Sequence, residues 1–269
     1  MKIHALVPTG HGINCEAETR HALEMAGFDR VDLVHLNFLV GGEVDPRSYH
    51  IIVFPGGFLD GDDLGAAQAC ANRIRHSRVG DDRLIDRLVQ FVSQGGLLLG
   101  ICNGFQLLTK LGMLPATGGD YTRREITITG NESCRFEDRW VYLAVDQNSP
   151  CVFTRKIERL YLPVRHGEGK VVGGTSEIAA DLVKSNQAAV RYAHPSTNEA
   201  SMEYPYNPNG SDQAIAGLCD PTGRVFGLMP HPEAFVHRFN HPRWTREDLP
   251  EEGAGLAIFK NAARFLRES

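Results

Sequence analysis

Apolar residues in this chain fall into short unbroken runs that alternate with stretches of helical spacing. Residues 3–7 form a continuous apolar run, the pattern of a strand buried on both faces. Residues 15–27 place Ala17, Ala22, Leu23, Met25 and Ala26 on a helical face and close at Gly27, a helix with a glycine cap. Val31–Leu36 and Tyr49–Phe54 read as the next strands, the second running into Pro55-Gly56-Gly57. Helical spacing returns at 81–94 through Leu84, Ile85, Leu88, Val89 and Val92. The strand Leu97–Leu99 and a helix from Phe105 to Leu111 follow. This alternation predicts an α/β fold, a mostly parallel sheet with helices on both faces.

The middle of the chain breaks the rhythm. Segments 124–129, 138–146, 160–163, 168–172, 187–192, 213–219 and 224–229 are short and strand-like, with one helix near 176–184. They predict an antiparallel portion, or added strands flanking the parallel core. A last helix spans 253–267, and residues 60–83 read as an inserted loop plus helix. No repeat or low-complexity linker divides the 269 residues, so a single domain over 1–269 is expected.

Composition narrows the function. A formal charge of −5 argues against a general nucleic-acid binder. No apolar run reaches the roughly 18 residues that span a bilayer, and the N-terminus reads as a first strand rather than a signal peptide. A cytoplasmic protein with no membrane contact is expected. The six cysteines are scattered, with no Cys-x-x-Cys pair, so no metal site and no disulfide framework is expected.

One cysteine is placed differently. Gly100-Ile101-Cys102-Asn103-Gly104 lies between a strand and a helix, a G-x-C-x-G version of the nucleophile elbow. A sharp turn holds the nucleophile, and Gly100 and Gly104 let the turn close. The helix that follows aims its amide dipoles at Cys102 and favours a thiolate. Taken alone, the pattern fits a buried cysteine in an ordinary corner equally well.

An acyl intermediate on Cys102 needs a proton shuttle. Among eleven histidines, His231 stands in Met229-Pro230-His231-Pro232-Glu233, just after an apolar strand. Pro232 biases His231 toward extended backbone, which would set Glu233 on the same side to hold the imidazole. The developing oxyanion needs donors. The Asn103 amide beside the nucleophile is one candidate, and Gly57 in the loop Pro55–Phe58 is the other. Gln106, four residues past Cys102, shares its helix face and would reach substrate or buttress the turn.

Together these residues resemble class I glutamine amidotransferases, and within them the glutaminase subunits of phosphoribosylformylglycinamidine synthases. The resemblance rests on Gly12–Glu16, Phe54–Phe58, Gly100–Gln106, Asn131–Glu137 with Arg139-Trp140, Leu162–Gly169, Asn207–Ser211 and Met229–Glu233. It implies a flavodoxin-like fold and hydrolysis of L-glutamine to glutamate and ammonia through a thioester on Cys102. It implies delivery of ammonia to a synthase subunit that converts formylglycinamide ribonucleotide with ATP in purine biosynthesis. ATP and Mg are then expected on the partner, since this chain carries no G-x-x-x-x-G-K-[ST] loop and no cofactor of its own is expected. His166, Gly167 and Glu168 would line the glutamine pocket or its exit by the same resemblance.

Two features depart from it. Ala234 stands where arginine is expected. Segments 62–83 and 174–200 are longer than in compact subunits, which leaves open the partner's type and the need for a small third subunit. The competing readings are a glutaminase of another amidotransferase complex, a hydrolase of another elbow family, or a non-catalytic binding subunit. Retention of Cys102, His231 and Glu233 together favours the catalytic reading.

Overall fold

In the computed structural model, which describes residues 1–268 apart from the side chain of Ser176, the elements follow the apolar pattern closely. Strand β1 (His4–Thr9) leads through helix α1 (Glu16–Met25) to β2 (Arg30–His35). The expected strand at 31–36 stops one residue early. The His35 side chain accepts a bond from the Asn37 amide at 3.2 Å and starts a short helix, α2 (Leu36–Val40), whose Leu36 and Leu39 are buried.

After β3 (Ile51–Phe54) the inserted region forms α3 (Gln68–His76) and a small hairpin, β4 (Arg78–Val79) with β5 (Asp82–Arg83). Helix α4 (Leu84–Ser93) buries Leu84, Ile85, Leu88, Phe91 and Val92; of the face read from the sequence Val89 is only half-buried, and Phe91 joins it. Then come β6 (Leu97–Ile101) and α5 (Asn103–Leu111).

The middle region supplies β7 (Ile126–Gly130), β8 (Glu137–Val145), β9 (Arg159–His166) and β10 (Glu168–Gly173). It continues with α6 (Ser176–Lys184), β11 (Val190–Tyr192), β12 (Ile215–Cys219), β13 (Val225–Leu228) and finally α7 (Leu256–Glu268).

One nine-stranded sheet runs β2-β1-β3-β6-β13-β12-β11-β8-β9. The pairings from β2 to β13 are parallel, and those from β13 to β9 antiparallel. The antiparallel strands therefore extend the parallel sheet itself. Of the strands from the middle region, β7 and β10 form a separate ribbon, as the β4–β5 hairpin does in the inserted region. Residues of β3, β6 and β13 are all buried, as a strand covered on both faces requires. Helix α1 packs with α7, and α3 packs with α4 and α5.

This order fixes where chemistry sits. Strand β1 sends its connection to β2 on one side, while β3 lies on the other, so a crevice opens at the carboxyl ends of the strands. The loops after β1, β3, β6 and β13 all leave from that end. They carry residues 10–15, 55–58, 102 and 229–233. Among the described residues, no helix is long and apolar enough to cross a membrane.

Candidate active site

Strand β6 ends at Ile101, and Cys102 turns the chain into α5 with φ 51° and ψ −103°. A non-glycine residue there stores roughly 1–3 kcal/mol of strain, held by the packing around it. The Cys102 amide donates to Leu228 O of β13 at 2.8 Å, and its carbonyl accepts the Gln106 amide at 3.1 Å. Both flanking glycines are sterically required. A Cβ on Gly100 would approach Gly104 O at 2.5 Å, and one on Gly104 would collide with the Phe54 carbonyl of β3.

Cys102 is 5% exposed, yet it opens onto a cavity of about 190 Å³. Gly57, Phe58, Asp62, Gln106, Phe136 and the turn Arg165–Glu168 line the same cavity. The Cys102 thiol points at Arg165 O, 3.7 Å away.

His231 follows β13 and is anchored by its amide to Pro163 O of β9 at 2.8 Å. Its backbone is extended, as Pro232 predicts, but the approach of Glu233 is not the strand alternation read from the sequence. Residues Pro232–Ala234 form a 3₁₀ turn, which Pro232 opens with its fixed φ, and the tight turn swings Glu233 back under the ring. The Nδ1–Oε1 distance is 2.6 Å, with both side chains buried. Ala234 closes that turn with its amide on His231 O, and its methyl takes no part in the contact.

Burial opposes protonation of His231, but the Glu233 carboxylate and the Cys102 sulfur outweigh it and raise its pKa well above the ordinary value. Among the described residues Nε2 has no hydrogen-bond partner of ordinary geometry, although the thiols of Cys102 and Cys15 both lie against the ring and favour its protonated form. The arrangement suits a cysteine and imidazole that exchange a proton.

The loop after β3 is pinned by the loop after β1. Asn14 N donates to Gly56 O at 3.3 Å, and Phe58 N to Gly12 O at 2.8 Å, around an antiparallel bridge between Ile13 and Gly57. In this bridge the residues flanking Gly57 make the bonds, so its own N–H lies outside the ladder. Gly57 has φ 154°, and a Cβ there would come 2.5 Å from Gly12 O. Asn103 opens α5, where an amide has no intrahelical acceptor. The two amides expected to serve the oxyanion are thus left for another acceptor.

Gln106 is committed to structure. Its Nε2 donates to Glu168 O at 2.5 Å, and its Oε1 accepts from Asn103 Nδ2 at 2.8 Å. Asn103 Oδ1 in turn accepts the Leu59 amide at 2.8 Å. Of the two roles open in the sequence, this geometry is the buttress. The Glu168 carboxylate turns away to accept the Ala66 amide at 3.1 Å, tying the inserted segment to the β9–β10 turn. Only Asp62 of that segment reaches the cavity. Burial raises its pKa, against bonds from Ala67 N and Asn103 Nδ2.

His166 is buried, and its role as a lining residue comes with a fixed tautomer. Asn131 Nδ2 donates to Arg135 O and His166 O at 2.8 and 2.7 Å, so Oδ1 is the face left to accept. His166 Nδ1, 3.0 Å away, must donate to it. Burial, helped by the charge of His231, lowers the His166 pKa to about 3, so the ring stays neutral. Gly167 closes the turn by accepting the Asn131 amide at 2.9 Å.

Several members of this site lie in segments that the sequence singled out without assigning them a role. Asn131 holds the β9–β10 turn, and Asn209 binds Gly169 O at 2.8 Å and accepts from Ser211 Oγ at 2.7 Å. Asp62, Arg165, Phe58 and Phe136 line the cavity. Besides the resemblance carried by these segments, the density of asparagine and serine in 131–133 and 207–211 was a signal, since such residues brace turns through side-chain bonds.

Comparison with known proteins agrees with this geometry. Residues 2–266 match the CobB/CobQ-like glutamine amidotransferase domain. The chain is 45% identical over 267 residues to the phosphoribosylformylglycinamidine synthase subunit PurQ of Dehalococcoides mccartyi, covering 99% of each. It is 40% identical to the subunit of that name from Methanococcus maripaludis, covering 98% of this chain and 97% of that one. Among solved structures it resembles a chain of PurLQS from Thermotoga maritima, with TM-score 0.71 and 29% identity over 99% of this chain and 100% of that one. With Cys102, His231 and Glu233 gathered at the strand ends and nearly the whole length matched, the chain belongs to the CobB/CobQ-like glutamine amidotransferase family.

Proposed function

We propose that this chain is the glutaminase subunit of a phosphoribosylformylglycinamidine synthase. It hydrolyses L-glutamine to glutamate and ammonia and hands the ammonia to a synthase subunit, which converts formylglycinamide ribonucleotide to formylglycinamidine ribonucleotide with ATP in purine biosynthesis. The observation that carries the reading is the meeting of Cys102 and the His231–Glu233 pair beside a cavity of about 190 Å³, in a chain matched end to end by subunits of that name.

In the first half-reaction the Cys102 thiolate attacks the side-chain amide carbon of glutamine. The carbonyl oxygen gains negative charge and is met by the amides of Gly57 and Asn103, a contribution of about 3–4 kcal/mol when one such donor is lost. The His231 imidazolium, held by Glu233, gives its proton to the leaving nitrogen, so the C–N bond breaks and ammonia departs. In the second half, neutral His231 takes a proton from water, which attacks the thioester. Glutamate leaves and the thiolate returns.

The turn Arg165–Glu168 closes one wall of the cavity, with neutral His166 as a bare acceptor within it. ATP and Mg belong to the synthase subunit in this reading. A cytoplasmic setting fits six free thiols, which a reducing compartment preserves.

The test compares nitrogen sources in the assembled synthase. Cys102→Ala is expected to abolish glutamine-dependent synthesis and to leave ammonia-dependent synthesis unchanged. Loss of both, or of neither, contradicts the reading.

A further inference from the structure

The segment Gly12–Glu16 brings a second thiol to the catalytic imidazole. Cys15 caps the start of α1 and is partly exposed, and it lies outside the lining of the cavity at Cys102. Its sulfur, the His231 imidazole and the Glu233 carboxylate present ligand atoms that all lie within 4.8 Å of one another. Gly56 makes room for this meeting. A Cβ there would come 2.8 Å from His231 Cε1 and 3.3 Å from Cys15 Sγ. Glu233 keeps Oε2 buried without a hydrogen-bond partner among the described residues.

We propose that Cys15, His231 and Glu233 form an inhibitory site for a borderline-soft divalent cation of the zinc class. Thiolate, imidazole and carboxylate are the donor set that zinc prefers, and tetrahedral bonds of about 2.0–2.3 Å space ligand atoms by roughly 3.3–3.6 Å. The donors, all within 4.8 Å of one another, reach that spacing by small side-chain movements, with the 2.6 Å His231–Glu233 contact opening to admit the cation. A fourth position remains for water. Binding releases two protons to solvent, one from the Cys15 thiol and one from Nδ1 of the His231 imidazolium, and replaces the His231–Glu233 hydrogen bond with two metal bonds. The imidazole is then unable to carry a proton to or from Cys102. Because the cation enters beside Cys15 and not through the glutamine cavity, it is expected to lower kcat for glutamine and leave KM unchanged.

The effect on catalysis rests on the proposed glutaminase activity, whereas binding itself does not, so two readouts separate them. In the assembled synthase, zinc chloride should suppress the glutamine-dependent rate reversibly by chelation and spare the ammonia-dependent rate. Cys15→Ala, normalised to its own metal-free rate, should need at least tenfold more zinc. Separately, the full chain carrying Cys102→Ala is titrated with cobalt(II). A thiolate-to-cobalt charge-transfer band is expected, and it should vanish when Cys15→Ala is added. Equal zinc sensitivity with and without Cys15, or no such band while Cys15 is present, overturns the site. Cobalt binding through Cys15 in a chain without glutaminase activity upholds the site and overturns the function.

Discussion

His166 Nδ1 donates to Asn131 Oδ1 across 3.0 Å, and this one bond sets the tautomer of the buried ring in the cavity wall. Burial holds the His166 pKa near 3, against an ordinary value of 6.5. Between those values the unfolded chain takes up a proton that the folded chain refuses. Stability is therefore lost as the pH falls from 6.5 toward 3, by up to about 1.4 kcal/mol per pH unit. His231 adds nothing in that window, because its raised pKa leaves it protonated in both states. Denaturant unfolding between pH 6.5 and 4.5 should show a shallower acid slope in His166→Asn than in wild type. Equal slopes would contradict the assignment.

Glu233→Gln keeps the shape of the 3₁₀ turn but removes the charge that holds the His231 imidazolium. Glutaminase turnover is expected to fall by roughly 10²–10⁴-fold, with the fold retained. Steady-state glutamate release and circular dichroism together check it. A loss under threefold would show that Glu233 does not act through His231.

Gly104→Ala presses a methyl against the Phe54 carbonyl, between two backbone segments that cannot part without opening β3 from β6. A destabilisation of about 3 kcal/mol or more is expected. Gly130→Ala is the control, since nothing lies within 4 Å of its added Cβ; a change within about 0.5 kcal/mol is expected there. Urea midpoints of both variants decide the matter.

Asn103→Ala removes the acceptor of the Leu59 amide and a donor to Gln106, while leaving the backbone N–H proposed for the oxyanion. The loop after Gly57 should loosen. Amide exchange at Leu59 is expected to speed up at least tenfold, since one buried hydrogen bond contributes about 1–1.5 kcal/mol. Unchanged exchange would show that other contacts fix the loop.

Much of this architecture was legible because apolar period and glycine punctuation report directly on burial. Leu97–Leu99 followed by Gly100-x-Cys102-x-Gly104 admits few conformations, and the elbow lies where the pattern put it. That the antiparallel strands join the parallel sheet, one of the two arrangements open in the sequence, was not decided by local pattern, because the join is a pairing of residues far apart in sequence, such as Phe226 with Leu99. The 3₁₀ turn at Pro232 was hidden because proline fits both extended and helical starts. The commitment of Gln106 to Glu168 O depends on a turn 62 residues away, which no local spacing encodes. Asn131 and Asn209 brace that turn through side-chain amides, a role that a sequence cannot distinguish from a solvated loop.

The proposed activity depends on Cys102 as the nucleophile toward glutamine. Treating the chain with an electrophilic glutamine analogue, followed by intact-mass and peptide mapping, measures this directly. A single adduct on the peptide containing Cys102, prevented by excess glutamine, is the predicted result. An adduct confined to another cysteine, or none at all in an active synthase, would contradict it.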